Sequence, residues 1–245
     1  RMYGHGITTL MLTEMLGMGS NVLQNTRIHT ALEKALALIL KAQQVPKKKA
    51  MQGGWRYAPN STDSDLSVSV WQLMALRSAK NDGMEIPGES IDAAVDYLKA
   101  SSTAIKTADG GIRNSAAGFS YMPGSTKGTF AMTAAGLLAL QVCGRYESPL
   151  VKAAARWLLL QRPRTNERFF YYGIYYYAQG MHQVGGEYAE TARRMTSDLL
   201  LRGQRSNGSW IGYRAEERNI GEVYSTSLAI LSLSVRYHYL PIYQR

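Results

Sequence analysis

The chain repeats itself, and that constrains it more than any other feature. "GGWRYAPNS" at Gly53–Ser61 has an echo in "AGFSYMPGS" at Ala117–Ser125, with glycine, an aromatic, tyrosine, proline and serine in register. A weaker copy is "NGSWIGYRA" at Asn207–Ala215. Each copy precedes a small-residue-rich apolar run: "LSVSVWQLMAL" from Leu66, "TFAMTAAGLLAL" from Thr129 and "VYSTSLAILSLS" from Val223. "GHGITTLMLTEML" from Gly4 is the same kind of segment with its loop cut short, and "YYGIYYYAQGMHQV" from Tyr171 is a version rebuilt with tyrosines. Recurrence with a period of roughly 50 to 60 residues means stacked supersecondary units.

Between the apolar runs lie helices of another kind. "SIDAAVDYLKA" puts Ile91, Ala94, Val95 and Leu98 on one stripe and Asp92, Asp96 and Lys99 opposite. "ALEKALALILKAQ" turns Leu32, Ala35, Leu36, Ile39 and Leu40 inward and Glu33, Lys34 and Lys41 outward. "LVKAAARWLLLQ" and "EYAETARRMTSDLLLRGQ" follow the same rule. A helix with one apolar stripe faces solvent on its other side, whereas one apolar all round is covered everywhere. The alternation predicts an all-α array of helix hairpins in two layers, an α/α toroid or an open arc, with outer helices covering inner ones. Ser67, Ser69, Thr133, Ala134, Ala135, Ser225 and Ser227 then let inner backbones approach closely. No stretch has the period-2 pattern that demands a strand. The whole chain, 1–245, is expected to be a single domain and, opening on Arg1, a piece of a longer chain, which leaves its compartment open.

The net charge of +10 suits an anionic surface or ligand but equally a solvated basic face. Lys47–Lys49 is the basic run, and arginines do not interleave with aromatics, so nucleic acid is not the expected partner. No apolar run is long enough for a bilayer. The single cysteine, Cys143, excludes an internal disulfide and a cysteine-rich metal site; it is expected to be a small buried apolar residue. His29, His182 and His238 have no metal-ligand spacing, and no P-loop, dinucleotide or Gly-x-Ser-x-Gly fingerprint occurs. No metal and no cofactor are expected.

"QGGWRY" at Gln52–Tyr57, with degenerate copies in "GGIRN...AGFSY" and "QRSNGSW", resembles the glutamine–tryptophan repeat of squalene–hopene cyclases and related α/α toroids. Closest in pattern are the bacterial prenyltransferase and squalene oxidase repeat proteins. The resemblance covers most of the chain and implies the toroid fold, with an isoprenoid or other lipid bound or transformed in a central cavity. It also implies a role for the acids that open the run at Leu66. Triterpene cyclases carry Asp-x-Asp-Asp-Thr-Ala at an inner helix start, where the middle aspartate protonates an alkene. Asp63 falls on the first aspartate and Asp65 on the middle one, while Leu66 and Ser67 replace the third aspartate and the threonine. That makes Asp65 and Asp63 the candidate catalytic residues. A cap is the other reading of the same residues, since aspartate satisfies free N–H groups at a helix start.

If all inner helices enter from one side, the residues before each share a mouth. His5, Asp63, Asp65, Lys127, Thr129, Tyr171, Tyr172, Glu222 and Tyr224 form that set, and helix N-termini there favour anions. Tyr171 and Tyr175, like Tyr172 and Tyr176, are i,i+4 partners, so two adjacent stripes are aromatic. Such rings line a cation-stabilising or sugar-binding wall, or fill a core. His5, Glu222 and these four tyrosines are the candidate ligand-binding residues. Two further readings stand beside the cyclase: a non-catalytic domain that binds a ligand or protein partner, and a carbohydrate enzyme using Asp65 or Glu222 as acid or base.

Overall fold

The computed structural model describes residues 1–109, 111–237 and 241–243. It is all-helical, with 61% of residues in helix, and among the described residues the only β pairing is two isolated bridges, Trp55 with Asp65 and Lys106 with Ile112. The helices are α1 (Met2–Glu14), α2 (Val22–Gln43), α3 (Leu66–Asn81), α4 (Gly88–Ala100), α5 (Phe130–Val142), α6 (Pro149–Leu160), α7 (Phe170–Val184), α8 (Gly186–Gly203), the single turn α9 (Ala215–Arg218) and α10 (Glu222–Leu233). The chain divides into two compact units. Of the described residues, the first comprises 1–102 with 121–125 and 241–243, and the second 103–109, 111–120 and 126–237.

In the first unit α1 lies against α3, with α2 packed on α1 and α4 on α3. In the second, α7 lies between α5 and α10, α6 covers α5, and α8 covers α7 and α10. The two expected kinds of helix are present. Thirteen of the sixteen residues of α3 are buried, as are twelve of thirteen in α5 and thirteen of fifteen in α7. The covering helices are one-sided: Ile91, Ala94, Val95 and Leu98 of α4 are buried while Asp92, Asp96 and Lys99 are exposed.

The first and last inner helices depart from the expectation. Only Met2, Gly6, Thr9, Leu10 and Thr13 are buried in α1, and only Ser225, Leu228, Ala229 and Ser232 in α10. Leu231, in the run from Val223 that the sequence pattern expects to be covered all round, is half-buried. Among the described residues α1 packs on α3 and α2, and α10 on α7 and α8, and both helices keep exposed apolar positions, Met11 on α1 and Val223 and Ile230 on α10. Cys143, expected to be buried, is half-buried as the C-cap of α5.

The repeated aromatics hold each junction. Trp55 donates its backbone N–H to Ser69 Oγ (2.9 Å), Phe119 to Thr133 Oγ1 (2.9 Å) and Trp210 to Thr226 Oγ1 (3.0 Å). Ser69 and Thr133, anticipated as small residues for close approach, therefore act as fixed acceptors on α3 and α5, and Thr226, which was not among those anticipated, does so on α10. The two indoles reach back to the preceding covering helix, Trp55 Nε1 donating to the Ile39 carbonyl and Trp210 Nε1 to the Leu200 carbonyl, both at 2.8 Å. All three aromatics are buried.

The glycine pair of the motif has a separate cause for each member. Gly53 sits at φ +82°, and a Cβ there would lie 2.0 Å from the Ala93 carbonyl oxygen of α4. Gly54 faces Ser64 and the Tyr97 ring at distances no Cβ allows. Gln52 itself is exposed. The glutamine that stitches this junction is Gln43, at the end of α2, whose Nε2 donates to the carbonyls of Gly53 (2.9 Å) and Ser90 (2.8 Å).

Candidate functional site

Asp65 is the N-cap of α3. Its backbone is extended, its N–H donates to the Trp55 carbonyl (2.9 Å), and its Oδ1 accepts from Val68 N–H (2.9 Å) and Ser67 Oγ (2.6 Å). The two favoured N-cap interactions, side chain to N3 and extended φ/ψ, are both present. Oδ2 lies 3.4 Å from Arg56 Nη1, and the side chain has no exposed surface. Burial pushes the carboxyl above the usual aspartate range. The hydrogen bonds from Ser67 and Val68 and the Arg56 guanidinium pull it back.

Arg56 organises the surroundings. Its Nε is 3.5 Å from Asp63 Oδ2, and Asp63 is half exposed. The guanidinium lies over the rings of Tyr57 (5.1 Å) and Tyr121 (5.5 Å), an arrangement that stabilises a desolvated cation. The two tyrosine hydroxyls are 2.7 Å apart, and the Tyr121 carbonyl accepts from Leu66 N–H (2.9 Å). Asp63 and Asp65 are thus brought together, as the sequence predicted, but around an arginine that the sequence reading passed over. Its signal was available: Arg56 lies inside the repeat motif, between the two aromatics.

The structure gives His5 a different position from the one expected. It lies in the first turn of α1, not before it, and its Nε2 is 3.0 Å from the Ala35 carbonyl of α2. That contact ties an inner helix to its cover.

In the second unit, Tyr171, Tyr172, Tyr175 and Tyr176 are all buried, none above 3% exposure. Their rings pack on one another and on neighbours: Tyr172 with Tyr176 (4.8 Å), Tyr175 with Tyr176 (5.0 Å) and Tyr171 stacked on Tyr213 (5.8 Å). Edge-to-face and offset contacts of this kind are core packing. A cavity of about 210 Å³ in this unit is lined by Ala178, His182, Arg193, Thr196 and Leu233 among others, and by none of the four tyrosines. Burial raises the Tyr171 hydroxyl well above the ordinary phenol value.

Glu222 begins α10 at the repeat position of Asp65, since both stand four residues before the hydroxyl acceptor of the junction. It pairs with Arg205 and accepts from Ser209 Oγ (2.8 Å). Thr129 occupies the same place before α5 and caps it through Met132 N–H (3.3 Å). Counted from the junction bonds, then, Asp65, a cap that faces Arg56, corresponds to Thr129, a cap, and to Glu222, an ion-paired acid. Lys127 is exposed.

One functional-looking carboxylate escaped the sequence reading altogether. Glu217 in α9 is 1% exposed, and its two oxygens accept from Tyr171 N–H (3.1 Å) and Tyr172 N–H (3.0 Å). It caps α7 from a distant part of the chain, where Phe169, the local N-cap residue, supplies no side-chain bond. Burial pushes its carboxyl up, and the N–H groups of Tyr172, Tyr171 and Phe170 oppose the shift. Nothing local in "YRAEERN" marks which glutamate does this. Among the described residues no cluster of His, Cys, Asp and Glu could hold a metal ion, and no helix is long and apolar enough to cross a membrane. No protein-family model matches the chain, and no curated protein matches it.

Proposed function

We propose that the chain is a non-catalytic helical-repeat domain of the squalene-cyclase and prenyltransferase-like kind, and that it binds a protein partner. The observation that carries this reading is the state of Asp65. A general acid must touch the group it protonates. The Asp65 side chain has no exposed surface, one oxygen caps α3, and the other faces Arg56. The α/α toroid belongs to the same proposal, supported by the alternation of covering and inner helices within each unit. A binding role is supported by the exposed apolar positions of α1 and α10, Met11, Val223 and Ile230.

A second reading keeps Asp65 as a proton donor, and the upward shift of its carboxyl favours it. One experiment separates the two. Wild type and Asp65→Asn are incubated with squalene and the products analysed by mass spectrometry. The binding reading expects no cyclised product from either. Turnover by wild type that Asp65→Asn abolishes, with the fold intact by circular dichroism, overturns it.

A further inference from the structure

The cavity of about 210 Å³ in the second unit is not part of the repeat junctions. Among the described residues its walls come from α7, α8, α10 and the single turn Val235–Tyr237 that follows α10. One side chain in that wall is unlike the rest. Thr196 of α8 is 2% exposed, and its hydroxyl has no hydrogen-bond partner. A threonine inside a helix can donate to the carbonyl four residues back, which here is that of Ala192. Ser232, another buried hydroxyl of the wall, does this and donates to the Leu228 carbonyl at 2.6 Å. Buried polar groups are nearly always satisfied, so an orphan beside a cavity calls for a partner that enters it.

The charges around the orphan say what kind of partner. Arg193 also lines the cavity and stands one turn before Thr196, on the same face of α8. Its Nη2 lies 2.8 Å from Glu190, and a guanidinium carries further N–H donors for a second acceptor. Arg236 is in the wall too, with its guanidinium 4.7 Å over the Tyr237 ring. Glu190 is the one carboxylate among these wall residues, and it is already paired with Arg193. The wall is therefore net positive. Ala178, Leu233 and Val235 make its apolar part. Guanidinium and hydroxyl donors beside an apolar surface match a carboxylate on an apolar body. The size agrees: an apolar cavity of about 150 Å³ holds benzene, so this one has room for a ring and its carboxylate.

We propose that this cavity is a binding site for a small carboxylate with a compact apolar body, such as an aryl carboxylate. Its oxygens accept from Arg193 and Thr196, and its body lies against Ala178 and Leu233. The site lies within the second unit and neither uses nor tests the protein-binding reading.

Titration of the chain with benzoate, followed by the backbone amide resonances in two-dimensional NMR spectra, tests this, with benzamide as the neutral counterpart of the same shape. Benzoate is expected to give saturable shifts at Ala178, Arg193, Thr196 and Leu233, and benzamide to bind about tenfold more weakly for want of the charge. Thr196→Val keeps the shape and removes the orphan hydroxyl. It is expected to melt no lower than wild type and to bind benzoate about tenfold less tightly. Arg193→Gln, at an exposed position, is expected to weaken benzoate and leave benzamide unchanged. A Thr196→Val protein that melts well below wild type shows that the hydroxyl already had a partner and overturns the proposal. The absence of saturable shifts at these residues also overturns it. So does benzoate binding that Thr196→Val leaves unchanged, which is an adventitious ion only, held by surface arginines.

Discussion

Replacing Trp55 by alanine tests the junction architecture most directly. The indole is 1% exposed and donates to the Ile39 carbonyl. Truncating a buried tryptophan costs about 3–5 kcal/mol through lost transfer energy and the cavity left behind. Ile39 lies inside α2, so its carbonyl keeps its helical partner, and the lost indole bond adds only about 0.5–1 kcal/mol. The backbone N–H to Ser69 survives, because alanine still has it. A total of about 4 kcal/mol lowers the melting temperature by roughly 8–16 °C in a chain of this size. The assay is thermal unfolding followed by far-UV circular dichroism, with Trp210→Ala as a companion. Trp55 belongs to the first unit and Trp210 to the second, so each variant is expected to destabilise its own unit more. A Trp55→Ala protein that melts with the wild type would refute the claim that the repeated aromatic holds the junction.

Three further outcomes follow from named contacts. Gly53→Ala is expected to destabilise the first unit severely, since the +82° φ and the Ala93 carbonyl both exclude a Cβ; urea unfolding measures it. Asp65→Ala is expected to cost about 2 kcal/mol, because the cap is lost and Arg56 is left without its buried partner. Asp65→Asn keeps the cap and costs about 1 kcal/mol or less, and the difference between the two midpoints in urea checks this. The third concerns pH. Glu217 has a folded-state pKa raised above its ordinary 4.5, so the folded state binds this proton more tightly than the unfolded chain. Its contribution therefore rises as pH falls through the folded pKa toward 4.5 and is lost as pH rises through it. Glu217→Gln should remove that component, leaving melting temperature less sensitive to pH across that window.

The helices were legible because their periodicity is decided by burial, and burial is written into each residue's polarity. The one-sided pattern of "SIDAAVDYLKA" and the all-round pattern of "TFAMTAAGLLAL" each lead to one placement. The junction aromatics were legible for a similar reason, since only a repeated structural place keeps glycine, aromatic, tyrosine and proline in register. The exposed apolar positions of α1 and α10 were not, because polarity alone does not say whether a neighbour is present to cover Val223 or Met11. The role of the tyrosines was only half legible. Their spacing fixed the stripes, but a buried stripe and a cavity wall have the same spacing, and packing by Tyr213 and by one another decides between them. Glu217 was invisible because its effect depends on a contact across 45 residues of chain, and no local pattern encodes such a meeting. Asp65 was placed correctly, yet its partner Arg56 was missed, since an ion pair is a property of two side chains' geometry and not of either position alone.

The remote cap on α7 has a consequence for how the chain is made. A locally capped helix can complete its first turn as soon as that turn has been synthesised. The start of α7 gains its carboxylate cap only once residue 217 has been added, after the whole of α8. Until then its leading N–H groups lack the Glu217 carboxylate, and the tyrosine-rich segment has no α10 to pack against. Closing that long loop is an entropic cost met late, and contacts of high sequence separation slow the step that forms them. The tyrosine helix is thus completed in two late steps: its cap arrives with Glu217, and α10, which begins at Glu222, follows after it.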